Sequence, residues 1–193
     1  MLIGDGSLKA IIGWQQNQRK EFGDVINPDE YGLYFLLNTI NYDFRYVFPE
    51  KKNYNFSMGV NGMLQTSQNK GTEFLVPEYR LFDFGIYSIV SKTIGKLDLS
   101  GGIRYDLRTQ KGDDLFLDSL GVKTDDPLKI SDQRFYAFQE NFTGISGSLG
   151  ATYQLSKIAY TKLNLSAGFR APNIAELGSN GEHEGSGRYE IGD

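Results

Sequence analysis

The chain has 193 residues with 12 tyrosines, 13 phenylalanines and 23 glycines, a net charge of -4 and no cysteine. Without cysteine there is no disulfide framework, thiolate zinc site or thiol nucleophile, and the acidic balance with no basic stripe argues against a nucleic-acid partner. A mean hydropathy of -0.39, with no apolar run near the roughly 18 residues that a membrane helix needs, excludes a spanning helix, although strands that are apolar only at alternate positions average out as polar.

The amino terminus, MLIGDGSLKA, lacks a basic stretch followed by a long apolar one, so no signal peptide is expected in this segment. Reading for a period of two then gives about seven strand segments. The first lies near Leu8 to Arg19. The second, Tyr31 to Phe48, is apolar on both faces around Leu33 to Leu37 and then sets Ile40, Tyr42, Phe44 and Tyr46 against Asn41, Asp43 and Arg45. The third sets Tyr54, Phe56, Met58, Val60 and Leu64 against Asn55, Ser57, Asn61 and Gln65. A fourth covers Leu81 to Thr93. In the fifth, Leu97, Leu99, Ile103, Tyr105 and Leu107 oppose Asp98, Ser100, Arg104, Asp106 and Arg108, a segregation that no helix achieves. The sixth places Ile145, Leu149, Ala151 and Tyr153 opposite Ser146, Ser148, Thr152 and Gln154. The seventh places Leu163, Leu165, Ala167 and Phe169 opposite Lys162, Asn164, Ser166, Gly168 and Arg170.

Connection length carries an independent signal. Pro49 to Asn53, Ile94 to Lys96 and Lys157 to Tyr160 are tight, whereas Glu21 to Glu30, Gln68 to Arg80, Gln110 to Glu140 and Pro172 to Gly187 are long. Tight turns at one end and long loops at the other are the layout of a meander that crosses an outer membrane. Tyr42, Tyr46, Phe48, Tyr54 and Phe56, around the turn at Pro49, suit an aromatic girdle at one interface.

The last stretch, TKLNLSAGFRAPNIAELGSNGEHEGSGRYEIGD, joins the seventh strand to a loop rich in Gly, Asn and Glu. Gly168, Phe169, Arg170, Ala171, Pro172, Asn173, Glu176 and Leu177, followed by Asn180, Gly181, His183, Gly185, Arg188, Tyr189, Glu190, Ile191 and Gly192, stand at fixed spacing. This segment resembles the TonB-dependent receptors, plugged barrels of the Gram-negative outer membrane, and the likeness extends back to about Val76.

The resemblance implies an all-β fold, an antiparallel up-and-down meander that is an incomplete piece of a 22-stranded barrel. Residues 1–193 would be a partial barrel with no plug domain, no signal peptide and no carboxy-terminal barrel strand. Tight turns would face the periplasm and long loops the outside. The implied partners are outer-membrane lipid, an imported solute such as a ferric siderophore, a corrinoid or an oligosaccharide, and the TonB protein, engaged through the plug and amino-terminal segment. No cofactor, metal or nucleic acid is implied.

Individual residues admit a structural and a functional reading. Pro172 forces Ala171 to be extended and ends ladder donation, as suits a strand leaving the sheet. Arg170, on the same face as Ser166 and Gly168, is expected to pair with a carboxylate on an adjacent strand or the plug, with ligand capture as the sharper alternative. His183, between Glu182 and Glu184, lacks the second ligand a metal site needs and reads as a loop residue, while Arg170 and Arg188 near the acidic stretch to Glu190 suggest a loop-ordering ion-pair network. The aspartates of GDDLFLDSLGVKTDDPLKISDQ lack the spacing of a calcium loop, so this is expected to be a solvated loop whose Phe116, Leu117 and Leu120 fold onto the barrel mouth or touch ligand. Arg134, Phe135, Tyr136 and Phe138 mix charge and aromatics as solute sites do. No catalytic constellation is present and no enzyme is expected. A small stand-alone outer-membrane barrel acting as adhesin or pore, and a soluble lipocalin-like binder with an apolar interior, are the alternatives.

Overall fold

The computed structural model describes residues 2–3, 5–22, 28–183 and 188–192. After the short β1 (Leu2–Ile3) come five strands of fifteen or sixteen residues, β2 (Gly6–Glu21), β3 (Leu33–Val47), β4 (Tyr54–Asn69), β5 (Tyr79–Ile94) and β6 (Leu97–Gly112). A small hairpin, β7 (Leu115–Leu117) and β8 (Asp132–Phe135), precedes the seventeen-residue β9 (Phe138–Gln154) and β10 (Tyr160–Ala167). The chain ends in α1 (Ile174–Gly178) and a second small hairpin, β11 (Asn180–His183) with β12 (Arg188–Ile191).

The main sheet runs in the order β1-β2-β3-β4-β5-β6-β9-β10, every pair antiparallel, and its two edges do not meet. Apart from the two-residue β1, it is a seven-strand meander of an incomplete barrel, as expected. Local chemistry closes the tight turns: between β3 and β4, Lys52 and Asn53 both have positive φ, the geometry that matches the twist of a two-residue hairpin. Between β5 and β6 the same purpose is served by Gly95 at φ 60°.

Register sorts the side chains. Residues paired across strands share a face, and one unbroken row reads Ala10, Phe44, Val60, Ile86, Tyr105, Ile145. The next row on the opposite face reads Ile11, Asp43, Asn61, Gly85, Asp106, Gly144. The apolar face is open to the surroundings, with Ile12 70%, Leu149 69% and Ile145 68% exposed. One basin spans β2 to β9 on the polar face, lined by Ile11, Asp43, Asn61, Asp83, Arg104 and Ser146, so the polar face is the hollow one.

The apolar band has defined limits. A sixteen-residue strand is about 54 Å long, whereas crossing the hydrocarbon takes only about 9–11 residues. Toward the long loops the band stops at the row Trp14, Ile40, Leu64, Phe82, beyond which Gln16, Asn38, Thr66 and Arg80 face outward. On β6 it stops one step earlier at Leu107, and on β9 another step earlier at Ile145. That drift is the stagger that tilted strands require to lie across a flat slab. At the tight-turn end the girdle is present: the rings of Tyr46 and Phe48 stand 4.7 Å apart and those of Phe48 and Phe56 5.0 Å. Tyr42 does not belong to it. Its ring lies over Gly62 in the middle of the band and its hydroxyl donates to the Asp83 carbonyl at 2.9 Å.

Candidate functional site

The hollow face carries a ladder of balanced charge. Arg108 donates from Nε and a terminal nitrogen to both oxygens of Asp83, each at 2.7 Å, in a bidentate fork between β6 and β5. Arg104 donates through Nε to Asp106 at 2.7 and 2.8 Å, two positions along its own strand. On β3, Asp43 accepts from the Tyr87 hydroxyl at 3.2 Å and from Asn61 Nδ2 at 3.5 Å. Three acids thus face Arg45, Arg104 and Arg108, and the basin between them has a volume of about 640 Å³.

The segment from Gly168 to Leu177 closes the long-loop end of this basin, in a way that differs from the sequence expectation. β10 ends at Ala167, three residues before Arg170. Its alternation therefore stops, and Phe169 turns to the polar face: its amide donates to Ser146 Oγ at 3.1 Å, and its ring sits so close over Gly144 that a methyl group there would overlap it. Pairing of Gly144 with Asp106 identifies that face as the hollow one. Phe169, expected on the apolar face, instead lines the basin with Arg170 and Ala171.

Arg170 does not reach another strand. It donates to both oxygens of Glu176, each at 2.9 Å, six residues along. The same carboxylate accepts from the Asn173 amide at 2.7 Å, and Asn173 Oδ1 accepts from the Glu176 amide at 3.0 Å. Asn173 is thus the N-cap of α1 in a reciprocal capping box. The Arg170 guanidinium first, and the Asn173 amide second, hold the Glu176 carboxyl below its ordinary range. An N-x-x-E spacing, Asn173 to Glu176, followed by apolar Leu177 is the sequence signal for this helix.

The rest of the motif ties loops together. Ala171 is buried, and the Pro172 carbonyl accepts from Gln110 Nε2 at 2.6 Å, Gln110 being fully enclosed although it lies in a strand. Asn180 donates through Nδ2 to the Arg134 carbonyl at 2.8 Å and through its amide to the Leu75 carbonyl at 3.1 Å, and it accepts from the Tyr189 hydroxyl at 2.7 Å. Gly168 has open space around its Cα. Arg188, Tyr189 and Glu190 form exposed β12, where Arg188 pairs through its backbone with His183. The His183 and Glu182 side chains and residues 184–187 lie outside the described residues, and with them most of the expected acidic network.

The aspartate-rich loop is not merely solvated. Leu115, Leu117 and Phe135 bury together, with Phe74 against them, in a miniature core beneath the β7–β8 hairpin. Asp118 caps the following turn, accepting from the amides of Leu120 and Val122. Leu117 folds inward as expected; Leu120 is 84% exposed.

Above the charged basin lies a second one of about 600 Å³. Its strand-side wall is the inward stripe of β9, Phe138, Glu140 and Phe142, extended by Tyr136. Leu177 and Gly178 of α1, with Ile191, form the other wall. The aromatic run singled out from sequence thus gathers at the mouth, where Arg134 pairs with its neighbour Asp132 at 3.3 Å. Described as "TonB dependent receptor-like, beta-barrel", one family model matches residues 5–193. No curated protein and no solved structure matches the chain.

Proposed function

The chain belongs to the TonB-dependent receptor β-barrel family, and from that we infer that it supplies wall strands and solute-facing loops to a longer receptor that imports a scarce solute. Barrels of this family lie in the outer membrane and serve reception and transport rather than catalysis. The plug, the TonB-contacting segment and the remaining strands would come from other parts of the parent protein. Solute captured among the long loops would pass inward as the plug rearranges, driven by TonB and the inner-membrane proton gradient. A ferric siderophore, a corrinoid and an oligosaccharide are the solute classes that fit the family resemblance.

The observation that carries this reading is the aromatic basin at the long-loop end, which opens above a charged hollow face lined by Asp43, Asp83, Asp106, Arg104 and Arg108. An apolar mouth over a polar passage suits capture followed by movement. A soluble binder of lipocalin type would need the reverse arrangement, an apolar hollow and a polar outside. The test is growth of the host on limiting iron, limiting corrinoid or a polysaccharide as carbon source, comparing wild type, a receptor deletion and a strain without TonB. Loss of growth in one medium, shared by both deletions, is expected. Unimpaired growth of the receptor deletion in all three would overturn the proposal.

A further inference from the structure

The basin at the mouth is rich in acceptors and short of donors. Glu140 stands in the middle of its strand-side wall, with Phe138 and Phe142 each about 7 Å away along the same face of β9. The Glu140 carboxylate is exposed and has no ion-pair or hydrogen-bond partner among the described residues. Directly opposite on β6 is Gln110, which brings no charge. Its Nε2 donates to the Pro172 carbonyl, and its enclosed Oε1 has no partner. Ser179, next to Gly178 in the other wall and 4% exposed, likewise has an enclosed hydroxyl without a partner. Neither nearby arginine answers these acceptors. Arg108, in the row of Phe142, is forked onto Asp83, and Arg134 pairs with Asp132.

Acceptors left without donors are costly when enclosed, and a carboxylate set between aromatic rings suits a cation. Ring faces attract ammonium and guanidinium groups, and the carboxylate adds a charge-assisted hydrogen bond. The surrounding field has the same sign. The connection from β6 to β9, residues 113–137, carries Asp113, Asp114, Asp118, Asp125, Asp126 and Asp132 against Lys123, Lys129 and Arg134. A cleft under such a field concentrates cations and repels anions. A neutral solute could donate to these acceptors but would leave the Glu140 charge uncompensated among apolar walls.

We propose that the mouth basin selects a solute bearing an ammonium or guanidinium group, with Glu140 as its counter-ion and Tyr136, Phe138 and Phe142 around its apolar part. The proposal rests on the reading of the chain as part of an importing receptor and narrows it by sign of charge. Anionic ferric complexes are rejected, whereas a ferric chelate with a pendant amine, or an amino-sugar oligomer, is admitted. A volume of about 600 Å³ holds such a group with part of the body that carries it.

The test uses the intact receptor in detergent at mildly acidic pH, where amino sugars are protonated, with probes matched except for acetylation of the amine. Ferrioxamine B, a ferric hydroxamate with a pendant ammonium, is compared with its N-acetyl form, and a glucosamine hexamer with the N-acetylglucosamine hexamer. At least one amine should bind roughly fivefold or more tightly than its acetylated counterpart. Glu140→Gln should abolish that preference while leaving the acetylated probe unaffected, and rising salt should weaken the amine alone. Asp125→Asn, which removes an exposed acid of the same connection outside the basin, should leave the preference in place. Which amine binds identifies the solute class. Equal or tighter binding of the acetylated probes or of an anionic ferric catecholate, an amine preference that survives Glu140→Gln, or failure of both amines to bind would each overturn the proposal. None of these outcomes touches the receptor reading, which the growth comparison decides. Should Glu140→Gln fail to fold, as judged by heat-modifiable electrophoretic mobility, the acetylation contrast and its salt dependence in the wild-type receptor are held to the same expectation.

Discussion

The ring of Phe169 covers Gly144, a contact in which the segment leaving β10 folds back over β9 on the hollow face of the sheet. With the Phe169 amide bonded to Ser146, it fixes where the strand stops and the loop begins. It also decides that Arg170 leaves toward Glu176 and not toward the wall.

Gly144→Ala is therefore expected to be disruptive despite its small size. The new methyl group would displace the ring, with a cost of about 1–3 kcal/mol for overpacking. Gly168→Ala, which meets no neighbouring atom within 4 Å, should be nearly neutral. Urea midpoints of the intact receptor check both; equal effects would show that the Phe169 contact is unimportant.

The capping box predicts that Asn173→Ala costs about 1 kcal/mol of local stability, read as faster hydrogen exchange in α1. Its pH dependence has a definite sign. Glu176 titrates below its ordinary value of 4.5 when folded, so its contribution is complete above that value and is lost as pH falls through the depressed folded one. Carboxyl carbon shifts of Glu176 should show a midpoint below 4.5, moving up toward it in Arg170→Gln. An unchanged midpoint in that variant would remove Arg170 as the cause.

Asp83 and Arg108 form the best-made charge pair on the hollow face, with side chains 23% and 25% exposed. Asp83→Asn should cost about 1–3 kcal/mol, because a partly enclosed guanidinium loses both charged acceptors. A double-mutant cycle with Arg108→Gln should recover part of that cost. Strict additivity would mean that the pair does not couple.

The two faces also differ in their tolerance of charge. Leu149 lies in the middle of the outward apolar stretch of β9, and Leu149→Arg should cost about 2–4 kcal/mol of barrel stability in lipid. Neighbouring Ser148 faces a basin of about 430 Å³, and Ser148→Arg should fold with little loss. Refolding yield into vesicles distinguishes the two, and equal yields would refute the assignment of faces.

Strand number, order and the sorting of turns from loops were legible in the sequence. A period of two is a local property, and positions such as Leu99, Ile103 and Arg104 declare their faces without reference to the rest of the chain. The family motif was legible as well, because its residues stand at fixed spacing. What its residues do was not. Phe169 looked like one more apolar position of β10, and only the backbone's departure after Ala167 turned it onto Gly144. Arg170 could have met any carboxylate within reach, and Glu176 won because the N-cap at Asn173 brings that side chain back toward it. The enclosure of Gln110, the small core of Leu115, Leu117 and Phe135, and the opposition of Gln110 and Glu140 depend on pairings between residues distant in the chain. Alternation assigns each residue a face, while cross-strand register and loop packing decide which neighbour it meets there.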